Sequence, residues 1–258
     1  MSIKKDQAIK ALTREDHLFV AYSAATRLPY VTCDPESFND QVWIFSTEEG
    51  VKEFGKKCAA EKNLLLGMRY DKKNYNQLYG ILYSIGVNSV VWNDKGGRCE
   101  VDLSAIARQA DYSKLEPNKR PLLNSTLQLS AIYFLQEVRR PVPMEEHGDL
   151  KSLEEEFIVN LLKSEFLIAM TVDPADPKKM SVPFLKNKDG KALQPFFSDV
   201  IEFQKFAKGK KEIRAAKIPF SKVKDMMVKD VEGMVLDPMS LNLPFDRKQL
   251  EAILDSRG

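Results

Sequence analysis

The chain has 258 residues, 29% of them charged and 43% hydrophobic, with a net charge of +2, which is enough to bury one large core or two ordinary ones. Lys and Arg barely exceed Asp and Glu, so nothing global commits the chain to nucleic acid. Cys33, Cys58 and Cys99 are odd in number and widely spaced, without a Cys-x-x-Cys, which argues against a disulfide framework or a zinc knuckle and reads as reduced cytoplasmic thiols.

Met1 to Glu15 alternates charge with short apolar pieces and lacks the apolar core of a signal peptide. The longest uncharged run, Pro121 to Gln136, is too short and too polar to span a bilayer. Ile3 to Leu12 reads as a short amphipathic helix, Leu18 to Tyr22 as a buried strand, and Leu28-Pro29-Tyr30-Val31 as an extended piece with Pro29 at an edge or strand start. The strand Gln41 to Phe45 then meets Ser46-Thr47, where the hydrophobic period changes from two to 3.6, and a helix is expected over Thr47 to Ala60. Leu64-Leu65-Leu66 is expected as a short core strand, and Tyr75 to Ile85 as a helix with Leu78, Tyr79, Leu82 and Tyr83 inward. Val87 to Trp92 and Cys99 to Val101 are strands around the Asp94-Lys95-Gly96-Gly97 turn, before a helix at Leu103 to Gln109.

Asp111 to Pro121 is polar and linker-like, and Ser125 to Arg139 is a helix with an apolar face, stopped by Pro141-Val142-Pro143. The second half opens with a helix from Leu150 to Leu162 and a strand Phe166 to Ala169. Val182 to Leu185 pairs across the Asp189-Gly190 turn with Leu193 to Phe197. Phe197-Ser198 is a second strand-to-helix junction with the serine as cap, leading into a helix through Val200, Phe203 and Phe206. A short strand near Ile213, a helix over Phe220 to Val228, a strand Gly233 to Leu236 and a helix Arg247 to Leu254 complete the chain.

The halves share an order. Phe45 and Phe54 are spaced as Phe197 and Phe206 are, Ala21 corresponds to Ala169 and Val87 to Val231, and Asp102 and Asp246 follow those valines at one interval. The fold class is therefore mixed α/β: two tandem homologous modules, each a small mixed sheet covered by helices, over 1–110 and 149–258. The connector, 111–148, carries one helix expected to pack between the modules.

Leu153 to Ile168, Val182-Pro183-Phe184-Leu185, Asp189-Gly190, Phe197-Ser198-Asp199, Gly233-Met234-Val235-Leu236-Asp237-Pro238 and Phe245-Asp246 together resemble the SseB N-terminal domain. The first half resembles a diverged second copy, lacking the Asp-Gly hairpin and carrying Asn93-Asp94 where Asp237-Pro238 stands. The resemblance implies a bacterial protein of a family named for an enhanced serine sensitivity phenotype, and it brings no catalytic residues with it.

No Gly-rich phosphate loop, nucleophile elbow or His-Glu-x-x-His helix is present, and no cofactor or metal is expected. The two histidines, His17 and His147, read as structural or solvated. Asp102 and Asp246 are the best carboxylate pair because they recur, although each also stands where a helix cap belongs. Asp237 sits in a turn. Lys208, Lys210, Lys211 and Arg214 belong to the densest basic run, read either as a surface for an acidic partner or as a solvated helix end. The expected function is a non-enzymatic cytoplasmic bacterial protein that binds another protein through a groove between the modules. The alternative is a regulatory domain binding a small molecule of the amino-acid type there, and an enzyme using Asp102 or Asp246 ranks third.

Overall fold

The computed structural model describes residues 4–172, 176 and 180–256. Two compact units divide it, one of residues 1–114 with 131–150 and the other of 115–130 with 151–258. Both are built as mixed α/β layers.

In the first unit α1 (Lys5–Arg14) leads into β1 (His17–Ser23), β2 (Val31–Cys33) and β3 (Asp40–Phe45). The predicted helix start at Ile3 lies outside the described residues. Then come α2 (Glu48–Ala60), β4 (Leu65–Asp71), α3 (Tyr75–Ser84), β5 (Ser89–Asp94), β6 (Gly97–Asp102) and the four-residue α4 (Leu103–Ile106). The sheet order is β4-β1-β3-β5-β6, with β2 beside the first half of β3. Every pairing is antiparallel except β3 with β5. A helix must carry the chain between those two parallel strands, and the apolar stripe of α2 seals one sheet face by closing Val51, Phe54 and Cys58 over Phe19, Ala21, Phe45 and Leu65.

The helix α5 (Ser125–Val138) contributes residues 125–130 to the second unit and 131–138 to the first. In the first unit, Gln136 imitates a neighbouring strand: its Nε2 donates to the Val31 carbonyl at 2.9 Å and its Oε1 accepts the Val31 N–H at 3.1 Å.

The second unit continues with α6 (Leu150–Lys163), β7 (Glu165–Val172), β8 (Met180–Ser181), β9 (Leu185–Lys186), β10 (Ala192–Phe197), α7 (Val200–Ala207) and β11 (Ile213–Pro219). It ends with β12 (Gly233–Leu236), β13 (Leu243–Asp246) and α8 (Arg247–Asp255). Its sheet order is β11-β7-β10-β12-β13, with β9 on β10 and β8 on β7, and only β10 and β12 run parallel. Strand for strand, β7, β9, β10, β11, β12 and β13 take the places of β1 to β6. Register agrees as well, because Phe45 stands opposite Phe19 as Phe197 stands opposite Leu167, and Ser89 opposite Asp102 as Gly233 opposite Asp246. The second core repeats the first at matching positions, with Leu167, Ala169, Phe197, Phe206 and Ile213 clustered.

Several expectations fail locally. The helix expected at Leu103 to Gln109 is only the four-residue α4, and of Val182 to Leu185 only Leu185 pairs with β10, as part of β9. Leu65 and Leu66 open an edge strand of seven residues with Leu64 just before it, and the apolar run lies at the rim, since Leu64 and Leu66 are 58% and 57% exposed. The caps are Thr47 and Asp199, one residue beyond the serines, because those side chains reach the N–H groups of Gly50 and Glu202. Phe220 to Val228 forms only one 3-10 turn followed by turns, as Phe220, Val223 and Met227 are buried without continuous helical bonding. The strand β13 was not anticipated, since it is four residues long with Pro244 inside it; edge pairing to β12 makes it a strand.

Candidate functional site

In open α/β sheets, the C-terminal ends of the parallel strands are where ligand chemistry gathers. In the second unit, that place is the end of β10 and β12 beside the first turn of α7. The chain leaves Phe197 and caps α7 with Asp199, whose Oδ1 accepts the Glu202 N–H at 2.8 Å. Asp237, just past β12, takes a left-handed backbone conformation with φ 46, which Asp tolerates better than most side chains. From there its carboxylate returns to the junction, accepting the Ser198 N–H at 2.8 Å and the Ser198 Oγ–H at 2.6 Å.

Glu202 completes a group of three carboxylates, accepting from Ser240 Oγ at 2.7 Å and pairing with Lys205. Gln128 on α5 closes the group, with Nε2 donating to Ser198 Oγ at 2.8 Å and to Asp199 Oδ2 at 3.1 Å. Its Oε1 finds no partner among the described residues, so the amide is held through its nitrogen. Ser198, Asp199, Glu202, Asp237, Ser240 and Gln128 are all buried. Three buried acids face one ammonium, and the cheapest relief is to keep protons. Burial, followed by the charge of Glu202, holds the Asp237 carboxyl well above the usual carboxylate range. Burial pushes Asp199 up to about 6. Such a buried cluster favours the protonated form of its acids and orders the junction through its hydrogen bonds.

The first unit has the same junction with different side chains. Ser46 donates its N–H to the Asn93 carbonyl at 3.0 Å and its Oγ–H to Asp94 at 2.6 Å. Gly50 stands at the position of Glu202, Thr47 at that of Asp199 and Asn93 at that of Asp237. With no carboxylate cluster to fill the space, this end is an open groove of about 720 Å³. Trp43 and Phe54 stack along it, 4.6 Å between centroids, with Phe45, Lys57, Asp94 and Arg98 on its walls.

The sheet edges differ too. Strand β4 pairs only with β1 among the described residues, and it exposes Leu66 and, at 44%, Met68. At the same register β11 carries Arg214 and Ala216, with Lys217 beside them and Pro219 at its end. Charge and proline are the common means by which an edge refuses a further strand. The edge at β11 has both; β4 also has a cation, Arg69, where β11 has Lys217, but it carries Leu66 and Met68 where β11 has Arg214 and Ala216, and Asp71 where β11 has Pro219.

The structure places the residues singled out from the sequence as follows. Asp102 is exposed and pairs with Lys5 at 2.7 Å, without capping α4. Asp246 caps α8 in a full capping box, accepting the Gln249 N–H at 2.8 Å while Gln249 Oε1 accepts the Asp246 N–H at 2.9 Å. Asp246→Ala is expected to cost about 1 kcal/mol, read as a lower urea midpoint in full-chain denaturation; an unchanged midpoint would show that the box contributes nothing. Asp237 is in the buried cluster. Lys208, Lys210, Lys211 and Arg214 are exposed around the end of α7, with Lys210 Nζ 4.0 Å over the Phe206 ring and Arg214 donating to the Lys211 carbonyl at 2.6 Å. His17 stands edge-on to Phe19, and His147 faces Glu137. The Cys58 thiol is pushed up to about 11, first by burial.

Sequence reasoning missed Ser198, Asp199 and Glu202 as one group with Asp237. Asp199-x-x-Glu202 has legible capping spacing, but its meeting with a residue 39 positions beyond Ser198 comes only from strand pairing.

These features define the class: a mixed α/β chain with one sheet topology occurring twice, the two units differing at their junctions, their edges and their helices. Residues 145–252 match the family model of the SseB protein N-terminal domain, a stretch running through α6 to α8, and the match supports the SseB family for the second unit. No curated protein matches the sequence. Among solved structures, "Anabaena Tic22 (protein transport)" is similar at 8% identity over 86% of this chain and 85% of that one, with a TM-score of 0.22. Tic22 from Plasmodium falciparum is similar at 13% identity over 96% of each chain, also with a TM-score of 0.22. At those scores neither bears on shape or role.

Proposed function

We propose that this is a cytoplasmic bacterial protein of the SseB family, arisen by tandem duplication of one α/β module, that acts without catalysis by binding another protein. The duplication is supported by the shared strand order and register of the two units. The observation that carries the binding role is the edge of β4. Of two edges at the same place in the same topology, each with one cation at matching register (Lys217, Arg69), one is further blunted by Arg214 and Pro219 and the other presents Leu66 and Met68. An apolar, unpaired edge is a site for pairing with another chain.

The test uses the full chain as bait in lysate, beside Leu66→Lys/Met68→Lys. A defined protein held by the wild type and released by at least tenfold in the variant is expected. Equal retention by both would refute β4 as the binding surface.

A second reading is binding of an amino-acid-type small molecule, favoured by the groove over Trp43 and Phe54. It requires a specific amino acid to raise the melting temperature by mass action and Trp43→Ala to remove that rise.

A further inference from the structure

Resting on the reading of β4 as the binding edge, we infer that its occupant is an extended segment of a partner protein in which apolar residues alternate with acidic ones, added as the next strand of the first unit's sheet. The backbone of β4 makes the mode specific. Leu64 C=O accepts the Ala24 N–H at 2.9 Å, and the Lys72 N–H donates to the Asp16 carbonyl at 2.9 Å. Hydrogen-bonded pairs alternate along an antiparallel ladder, so the even-numbered residues of β4 turn their backbone groups to β1. Leu65, Gly67, Arg69 and Asp71 turn theirs outward, ready to pair with a partner strand.

The two faces of the edge are unequal. Leu65 packs into the core cluster beneath α2, and Gly67 lies so close under the same helix that a Cβ would meet Val51 Cγ1 at 2.7 Å. Alternation puts Leu66 and Met68 on the opposite face, where both are exposed. A strand laid beside β4 gains apolar neighbours there for every second residue. Seven residues of β4 span roughly 23 Å, which sets the length of segment the edge can hold.

Charge decides the remaining positions. Between residues 56 and 73 the surface carries Lys56, Lys57, Lys62, Arg69, Lys72 and Lys73 against Glu61 and Asp71, and all six cations are exposed. Arg69 is partly answered by Asp71 at 3.1 Å, while the excess of positive charge flanks both ends of the strand. A basic segment would be repelled at close range. An acidic one gains in affinity and association rate, with a salt dependence that follows from screening.

The experiment is fluorescence anisotropy of the full chain with three labelled ten-residue peptides alternating Val with Glu, Val with Ser, and Val with Lys. The Val/Glu peptide is expected to bind at least tenfold more tightly than the Val/Lys peptide and to weaken between 50 and 300 mM salt. N-methylation of alternate residues should abolish that binding, and Leu66→Lys/Met68→Lys, checked by circular dichroism for retained fold, should reduce it at least tenfold. The methylated peptide reads backbone pairing without altering the protein. Equal binding of all three peptides, still sensitive to methylation, would overturn the acidic partner while leaving the edge reading intact. Binding insensitive to both methylation and the double substitution, or no binding of any peptide, would overturn strand addition itself. A dimer that the double substitution dissociates would place a second copy of the chain on β4 and equally overturn the inference.

Discussion

At pH 8, Asp237→Asn is expected to stabilise the second unit by about 1–3 kcal/mol, the scale of the cost of an uncompensated buried group, because the buried carboxyl must ionise beside Glu202 and the amide need not, and at pH 4.5 to leave it nearly unchanged. The Asn oxygen can still accept the Ser198 N–H, and its amide can donate to Ser198 Oγ as a protonated carboxyl would. Asn also tolerates the left-handed backbone at φ 46. The first unit carries Asn93 at this register position.

The sign follows from linkage. Asp237 and Asp199 have folded values raised above the unfolded carboxylate value, the second to about 6. The folded state therefore holds more protons than the unfolded one, and stability present at low pH is lost as pH rises from about 4 through the folded values. For Asp199 alone the loss is on the order of 3 kcal/mol, at 1.36 kcal/mol per unit. Both tryptophans, Trp43 and Trp92, lie in the first unit, so the second is followed by amide hydrogen exchange in β10 and β12 across urea at the two pH values. A difference between variant and wild type that does not grow with pH would show that Asp237 is ionised in the fold.

Gly233→Ala is the second large effect, expected to cost at least about 3 kcal/mol, at the upper end of overpacking penalties. Gly233 faces Asp246 across the β12–β13 pair, and a Cβ there would lie 2.1 Å from the Phe245 carbonyl oxygen and 3.0 Å from the Asp246 Cα. The obstacle is backbone on the neighbouring strand, which cannot turn aside as a side chain can. Gly80→Ala, in α3 with nothing near the new Cβ, is the matched control and should stabilise by about 1 kcal/mol. Equal midpoints for the two variants in urea denaturation would refute the close approach.

Much of the architecture was legible because it depends on local signals. Phe45 to Phe54 and Phe197 to Phe206 show a change of hydrophobic period at a capping residue, which any strand-to-helix junction requires, and the α2 and α7 helices follow there. The capping box of Asp246 and Gln249 was visible from spacing alone. The apolar triplet Leu64 to Leu66 was misread because sequence shows hydrophobicity and not sheet position; Leu65 packs into the core, while Leu64 and Leu66, which a central strand would bury, are exposed at the rim.

What the sequence by itself determined is most of the helices and strands and the order they share between the halves, since periodicity, caps and turns act within a few residues. Only the tertiary structure decided that Asp237 crosses to Ser198 and joins Asp199 and Glu202, that Gly50 and Asn93 leave the matching end of the first unit open, and that β4 lies at an edge with Leu66 and Met68 outward. Each of these depends on which strands become neighbours, and strand pairing joins residues whose separation along the chain carries no local signal.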